Sequence, residues 1–175
     1  MSEILLHTCC GPCTTYVNKW LCENGFDVKG YFYNPNIRPQ AEYERRLLTM
    51  EHYAAAVGLK VAYEINDVQL IPKDCQNCYQ VRLEKTAQFA KQQGIELFTT
   101  TLLISPYQNH VLIKDVGEKI AQDYGISFLY QDFSTGYSQS RQMSQAMKLF
   151  RQNYCGCTPR TSIKLVRGGK YVKVN

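Results

Sequence analysis

The sequence predicts an α/β fold: a parallel sheet with helices on both faces, followed by a C-terminal β-hairpin. Three observations predict it. Short apolar runs and helix-period stretches alternate about five times along the 175 residues, the order expected of right-handed strand–helix–strand crossovers. The first run, residues 4–7, reads as a buried strand that passes directly into Cys9-Cys10-Gly11-Pro12. Glycines at 25, 58, 94 and 125 each stand where a helical pattern stops.

Pro12 opens the first helix, where its missing N–H costs nothing, and that helix reaches about residue 22. Residues 28–33 form the second strand. Asn34-Pro35-Asn36-Ile37-Arg38-Pro39 suits neither strand nor helix and must be an ordered loop. A long helix spans 41–57. Residues 61–65 are the third strand, and Cys75 and Cys78 open a helix that runs to 93. The threonine-rich run 97–103 is the fourth strand, broken by Ser105-Pro106. A helix over 110–124, a short strand over 127–130, a loop over 132–137 and a last helix over 138–152 complete the alternation. Beyond it, 163–166 and 171–174 alternate apolar and polar residues around Gly168-Gly169, a hairpin pattern. Residues 1–157 are expected to form a single α/β catalytic domain, with 158–175 a hairpin extension packed on it.

Hydrophobic residues make up 45% and charged residues 20% of the chain, an ordinary globular composition. No apolar run approaches the roughly 18–20 residues that span a bilayer, and the first residues lack a basic, then apolar, leader. No membrane partner and a cytoplasmic location are therefore expected. A net charge of +5 tolerates a polyanionic partner without requiring one. Eight cysteines point to metal binding or redox work rather than to a disulfide scaffold, which belongs to small secreted chains.

In open parallel sheets, sites lie outside the carboxyl ends of the strands. Five unusual segments fall there: Cys9-Cys10-Gly11-Pro12-Cys13, the loop 34–39, the Cys75/Cys78 pair, Ser105-Pro106-Tyr107-Gln108, and 132–137. Thiolates from two loops and two helix starts make a soft-metal site. Tetrahedral zinc and a cubane iron–sulfur cluster are the candidates; the adjacent Cys9-Cys10 pair departs from the spacing of a zinc knuckle and favours the cluster. Cys155-Gly156-Cys157 reads as a strained, labile redox pair, against the alternative of further metal ligands. Cys13 is a fifth site thiol, a second-metal ligand or merely a helix start. Cys22, on an amphipathic helix, reads as a small buried hydrophobe.

His7-Thr8-Cys9-Cys10-Gly11-Pro12-Cys13, Asn34-Pro35-Asn36-Ile37, Glu42-Tyr43, Arg46, Cys75-Gln76-Asn77-Cys78-Tyr79, Arg82-Leu83 and Thr86-Ala87 resemble the epoxyqueuosine reductases of the QueH family. So do the run 98–103, Ser105-Pro106-Tyr107-Gln108, His110, Asp132-Phe133, Gly136-Tyr137, Ser140, Arg151-Gln152 and Tyr154-Cys155-Gly156-Cys157. The resemblance covers residues 4–157. It implies a Rossmann-like fold of the HUP class, a [4Fe–4S] cluster on Cys9, Cys10, Cys75 and Cys78, and a redox-active disulfide between Cys155 and Cys157. A second metal ion stays open beside the cluster, with Cys13 as its candidate ligand among the readings given above. The implied reaction removes the epoxide oxygen of epoxyqueuosine at the tRNA wobble position, with an external electron donor. Ser134 stands where the family often has a basic residue, and the hairpin has no counterpart in the resemblance.

Within that reading, Cys155, Cys157 and Asp132 are the expected catalytic residues, with Tyr107, His110 and His7 as further proton-donor candidates by loop position. His7 more readily reads as a hydrogen-bonded core residue. Tyr107, Gln108, Asn36 and Tyr137 are expected at the substrate, the tyrosines stacking on a nucleobase. Arg45, Arg46, Arg151, Arg160, Lys164, Arg167, Lys170 and Lys173 are the basic residues for tRNA, the hairpin being a ribbon that tracks phosphates or a lysine-protected edge. The rivals are a tRNA sulfur transferase of the ATP-pyrophosphatase type, a zinc-stabilised nucleic-acid-binding module and a thiol–disulfide exchanger. The first needs a glycine- and serine-rich phosphate loop after the first strand, which Cys9-Cys10-Gly11-Pro12 is not.

Overall fold

The computed structural model describes residues 2–65 and 74–155, with the backbone of two short strands at 163–166 and 170–173. In chain order the elements are β1 (Ser2–Thr8), α1 (Gly11–Glu23), β2 (Phe26–Tyr33), α2 (Gln40–Val57), β3 (Val61–Glu64), α3 (Cys75–Gln92), β4 (Leu97–Thr100), α4 (His110–Tyr124), β5 (Ser127–Phe128), α5 (Tyr137–Ala146), β6 (Ile163–Val166) and β7 (Lys170–Lys173). Strands β1 to β5 form one parallel sheet in the order β3-β2-β1-β4-β5. This is the Rossmann-like arrangement the sequence predicts.

Helices cover both faces, α1 packing with α2 and α5, and α3 with α4. Ile4, Leu5 and Leu6 of β1 are therefore all buried, without alternation. Chain direction away from β1 reverses between β1→β2→β3 and β4→β5, so the loops after β1 and β4 part and leave a crevice. His7 closes the sheet just below it. Its Nε2 donates to the Tyr33 carbonyl at 3.0 Å, and the Thr100 hydroxyl donates to Nδ1 at 2.9 Å. Burial pushes its pKa down to about 4, so it is neutral and structural.

Three elements differ from the sequence expectation. The strand expected to reach 103 stops at Thr100 and becomes a 3₁₀ turn, Thr101–Ile104. Thr100 caps that turn, its Oγ1 accepting from the Leu102 N–H at 3.1 Å, so side-chain capping overrides β propensity. The strand expected over 127–130 is limited to Ser127–Phe128. The last helix, expected to reach 152, ends at Ala146. There Lys148 takes a left-handed φ of 53°, and the N–H groups of Lys148 and Leu149 bond back to Gln145 and Ser144 at 3.0 and 2.9 Å. That is a Schellman stop with lysine where glycine is usual. Cys22 is exposed rather than buried, because the buried stripe of α1 runs through Thr14, Val17, Asn18 and Leu21.

The hairpin is present as an antiparallel pair with Ile163 opposite Lys173, in a sheet of its own. Cys157, Arg160 and Arg167 lie outside the described residues, as do the side chains of Lys164, Lys170 and Lys173. Among the described residues, no helix is long and apolar enough to cross a membrane.

Candidate metal and active site

The crevice at the sheet's switch point is built by β1 handing directly into α1. Cys10 is the N-cap of α1, its Sγ accepting from the Cys13 N–H at 3.4 Å. The first turn of α1 can come this close to α2 only because residue 11 is glycine. A Cβ there would stand 2.6 Å from the Thr49 carbonyl oxygen. The result is three sulfurs, those of Cys9, Cys10 and Cys13, all within 4.8 Å of one another. Cys9 and Cys10 are buried and Cys13 is half-buried.

The Thr101 turn reaches the same point from β4. The Cys9 N–H donates to Thr101 Oγ1 at 3.0 Å, and the Thr101 hydroxyl lies 3.3 Å from Cys9 Sγ. Hydrogen bonds from the Cys10 and Cys13 thiols hold Cys9 well below the usual thiol range, with Thr101 assisting. Burial pushes Cys10 up, and sharing protons with its neighbours pushes Cys13 up. The trio thus favours negative charge at Cys9 over its two neighbours, and three clustered sulfurs are a soft donor set for a thiophilic metal.

The segment after α5 folds back over this group. Gln152 Nε2 lies 2.7 Å from Cys10 Sγ and 3.2 Å from Cys13 Sγ. Arg46, buried in α2, fixes the segment: it donates to the Tyr154 and Cys155 carbonyls at 2.8 and 3.0 Å and pairs with Glu42 at 2.8 Å. Sequence reasoning named Arg46 as a candidate for RNA, whereas the structure spends its guanidinium inside the protein. Gln152 was not among the expected site residues; it was visible only as part of the Arg151-Gln152 motif.

Cys75 and Cys78 sit in the first turn of α3, which Asp74 caps by accepting from the Asn77 N–H at 2.8 Å. The structure does not join them to the tight group. They line a small cavity with Tyr79 and Arg82, and this cavity shares Leu102, Gln108 and Cys155 with a larger one of about 360 Å³ bordered by Cys9 and Cys13. Burial pushes the Cys75 thiol up, and nearby Cys155 and Cys78 add to it. Asn36, expected at the substrate, has both ends of its amide engaged. Its Nδ2 donates to Cys78 Sγ at 3.2 Å, and its Oδ1 accepts from Arg82 at 2.7 and 3.2 Å. Arg82, only 2% exposed, also donates to Asn34.

Tyr107, Gln108 and Tyr137 line the larger cavity, the two tyrosine rings meeting edge to face at 6.0 Å and 83°. The Tyr79 hydroxyl donates to Gln108 Oε1. Asp132, expected to be catalytic, does not line that cavity. It is exposed, accepts from the Ser134 N–H at 2.9 Å and faces His110 at 3.5 Å. Of the Cys155/Cys157 pair, Cys155 lines both cavities and Cys157 is outside the described residues.

A family profile described as "Epoxyqueuosine reductase QueH" matches residues 4–160. Curated relatives of that name include proteins of Dehalococcoides mccartyi, Thermotoga maritima and Staphylococcus epidermidis. The first is 37% identical over 89% of this chain and 90% of its own length. The second is 34% identical over 90% and 89%, and the third 33% identical over 89% and 74%. With the profile matching nearly the whole α/β unit, and with the cysteine loops at its switch point inside the match, this chain belongs to the QueH family of epoxyqueuosine reductases.

Proposed function

We propose that this chain reduces epoxyqueuosine to queuosine in tRNA, using an iron–sulfur centre held by its switch-point cysteines and a dithiol at Cys155 and Cys157. The observation that carries the reading is the Cys9, Cys10 and Cys13 group, three sulfurs within 4.8 Å opening on a 360 Å³ cavity. The reaction breaks both carbon–oxygen bonds of the epoxide and leaves a carbon–carbon double bond. It consumes two electrons and two protons, and the oxygen leaves as water.

The donors fit such a centre. Cys9 and Cys10 would hold it together with Cys75 and Cys78, which line a cavity adjoining the one that Cys9 borders, and Cys13 would supply a fifth sulfur for this or a second metal. When bound, it would supply single electrons beside the cavity. The protein's own groups do the rest. Gln152 and Asn36 place amide N–H groups against sulfurs on the two sides, which fixes ligand orientation and stabilises negative charge there. Tyr107 and Tyr137 give flat apolar walls for a base. Gln108, its oxygen occupied by Tyr79, keeps its amide N–H groups for the substrate. Cys155 at the shared wall and Cys157 would store an electron pair delivered by an external donor. The cytoplasm is where such a thiol chemistry and a tRNA substrate meet.

The test is anaerobic reconstitution with iron and sulfide, iron and acid-labile sulfide analysis, and incubation of the reduced protein with epoxyqueuosine-containing tRNA. Nucleoside digestion and mass spectrometry should show queuosine. Fully loaded protein that leaves the epoxide intact would overturn the reading, as would stoichiometric zinc without sulfide.

A further inference from the structure

The cavity of about 360 Å³ lies at the low end of small-ligand pockets, about 300–1,000 Å³. It has room for one nucleoside and none for an anticodon loop. An RNA substrate must therefore turn its base into the cavity and leave the adjoining phosphodiesters outside, as enzymes acting on nucleobases do. The question is which groups at the rim meet those anions.

Most basic side chains near the site are already committed. Arg46 is bonded to Glu42 and to two backbone carbonyls, Arg82 to Asn34 and Asn36, and Arg38 to the Ile37 carbonyl. Arg45 lies over the Phe150 ring at 5.5 Å. Two remain. Arg141 projects from α5 and is exposed, and Arg151 follows the Lys148 stop and is half-buried. Both line the large cavity, and both line a smaller one beside Cys13 and Gln152. Neither guanidinium has a hydrogen bond or ion pair among the described residues. Tyr137 lines both cavities beside them.

Their placement is built rather than incidental. α5 is pinned to the start of α1 by the Ser140 hydroxyl, which donates to the Pro12 carbonyl at 2.7 Å. Arg151 is pinned by its neighbour Gln152 on the Cys10 and Cys13 sulfurs. Two cations without partners among the described residues thus flank a nucleoside-sized opening, on backbone that these bonds hold.

From this placement we infer that Arg141 and Arg151 form a phosphate subsite that grips the RNA backbone beside the inserted nucleoside. The inference rests on the tRNA reading above. A planar guanidinium matches a phosphodiester by two parallel hydrogen bonds, and each such contact adds about 0.7–0.9 to the salt slope of RNA binding. The subsite gives register: it lets one nucleotide of the loop enter and holds its neighbours out.

The experiment measures binding of an epoxyqueuosine-bearing anticodon stem-loop to the reconstituted full chain over a potassium chloride series. The Arg141→Gln/Arg151→Gln double variant should bind about tenfold or more weakly, with a log–log slope shallower by about 1.4–1.8. A Lys114→Gln/Lys119→Gln control removes the same charge elsewhere and should leave the slope within about 0.3 of the parent. The Arg141→Lys/Arg151→Lys variant should restore most of the slope, which a folding defect would not permit. Turnover of the free epoxyqueuosine nucleoside should fall at least fivefold less than turnover of the stem-loop. An unchanged slope in the glutamine variant, or an equal loss in the lysine control, overturns the subsite. Parent protein that shows the arginine-dependent slope yet reduces no epoxide would instead overturn the catalytic reading and leave the subsite standing.

Discussion

The two sulfur-bearing regions are held by different means. Cys9, Cys10 and Cys13 sit where a central strand becomes a helix, the first two buried and Cys13 half-buried, and their positions follow from the sheet itself. Cys75 and Cys78 ride on the first turn of α3, half-buried, and a side-chain relay holds Cys78: Arg82 grips Asn34 and Asn36, and Asn36 grips the sulfur. One side of the site is therefore as rigid as the core. The other is as rigid as a few hydrogen bonds allow, and its strength can be tuned without disturbing the sheet.

The largest break in that comparison should come from the rigid side. Cys9→Ala or Cys10→Ala is expected to remove bound iron almost completely after reconstitution, whereas Cys13→Ala should keep a substantial fraction. Metal analysis per chain decides it, and equal iron in all three variants would remove Cys9 and Cys10 from the ligand set. Next come the amide donors. Gln152→Leu and Asn36→Leu keep volume and lose the N–H groups at sulfur, so each should weaken iron retention or activity by about 10–100-fold. Chelator competition and the midpoint potential should show both moving in the same direction.

Arg82→Met tests the relay through stability. It leaves the Asn34 and Asn36 oxygens buried without their donors, at about 1–3 kcal/mol for each group, and thermal unfolding of metal-free protein should report it. An unshifted melting temperature would show that the relay is not what holds α3. The smallest effect is expected at Asp132. The Ser134 hydroxyl and N–H hold its carboxyl below the ordinary value, so its contribution is full above about pH 4 and fades as pH falls through the depressed value. Asp132→Asn should shift melting at pH 7 by under about 2 °C. A 100-fold fall in turnover would instead restore Asp132 as an acid catalyst.

The alternation of strand and helix, the glycine stops and the loops bearing cysteine were legible because they are local patterns. What the sequence hid is equally specific. Nothing in Thr99-Thr100-Thr101 distinguishes a strand from a strand that caps its own end, because the difference lies in whether the Thr100 hydroxyl turns to the Leu102 N–H. Lys148 gives no helix-stop signal, since the left-handed residue is ordinarily glycine or asparagine. Missing that stop hid Gln152, because a continued helix could not have laid it on two sulfurs. The exposure of Cys22 depended on which stripe of α1 the neighbouring helices covered.

Gln152 meets Cys10 across 142 positions of sequence. As the chain leaves the ribosome, the first strand and its cysteines emerge long before the residue that covers them. Closure of the crevice over these sulfurs therefore waits for a segment that follows the whole parallel sheet in the chain.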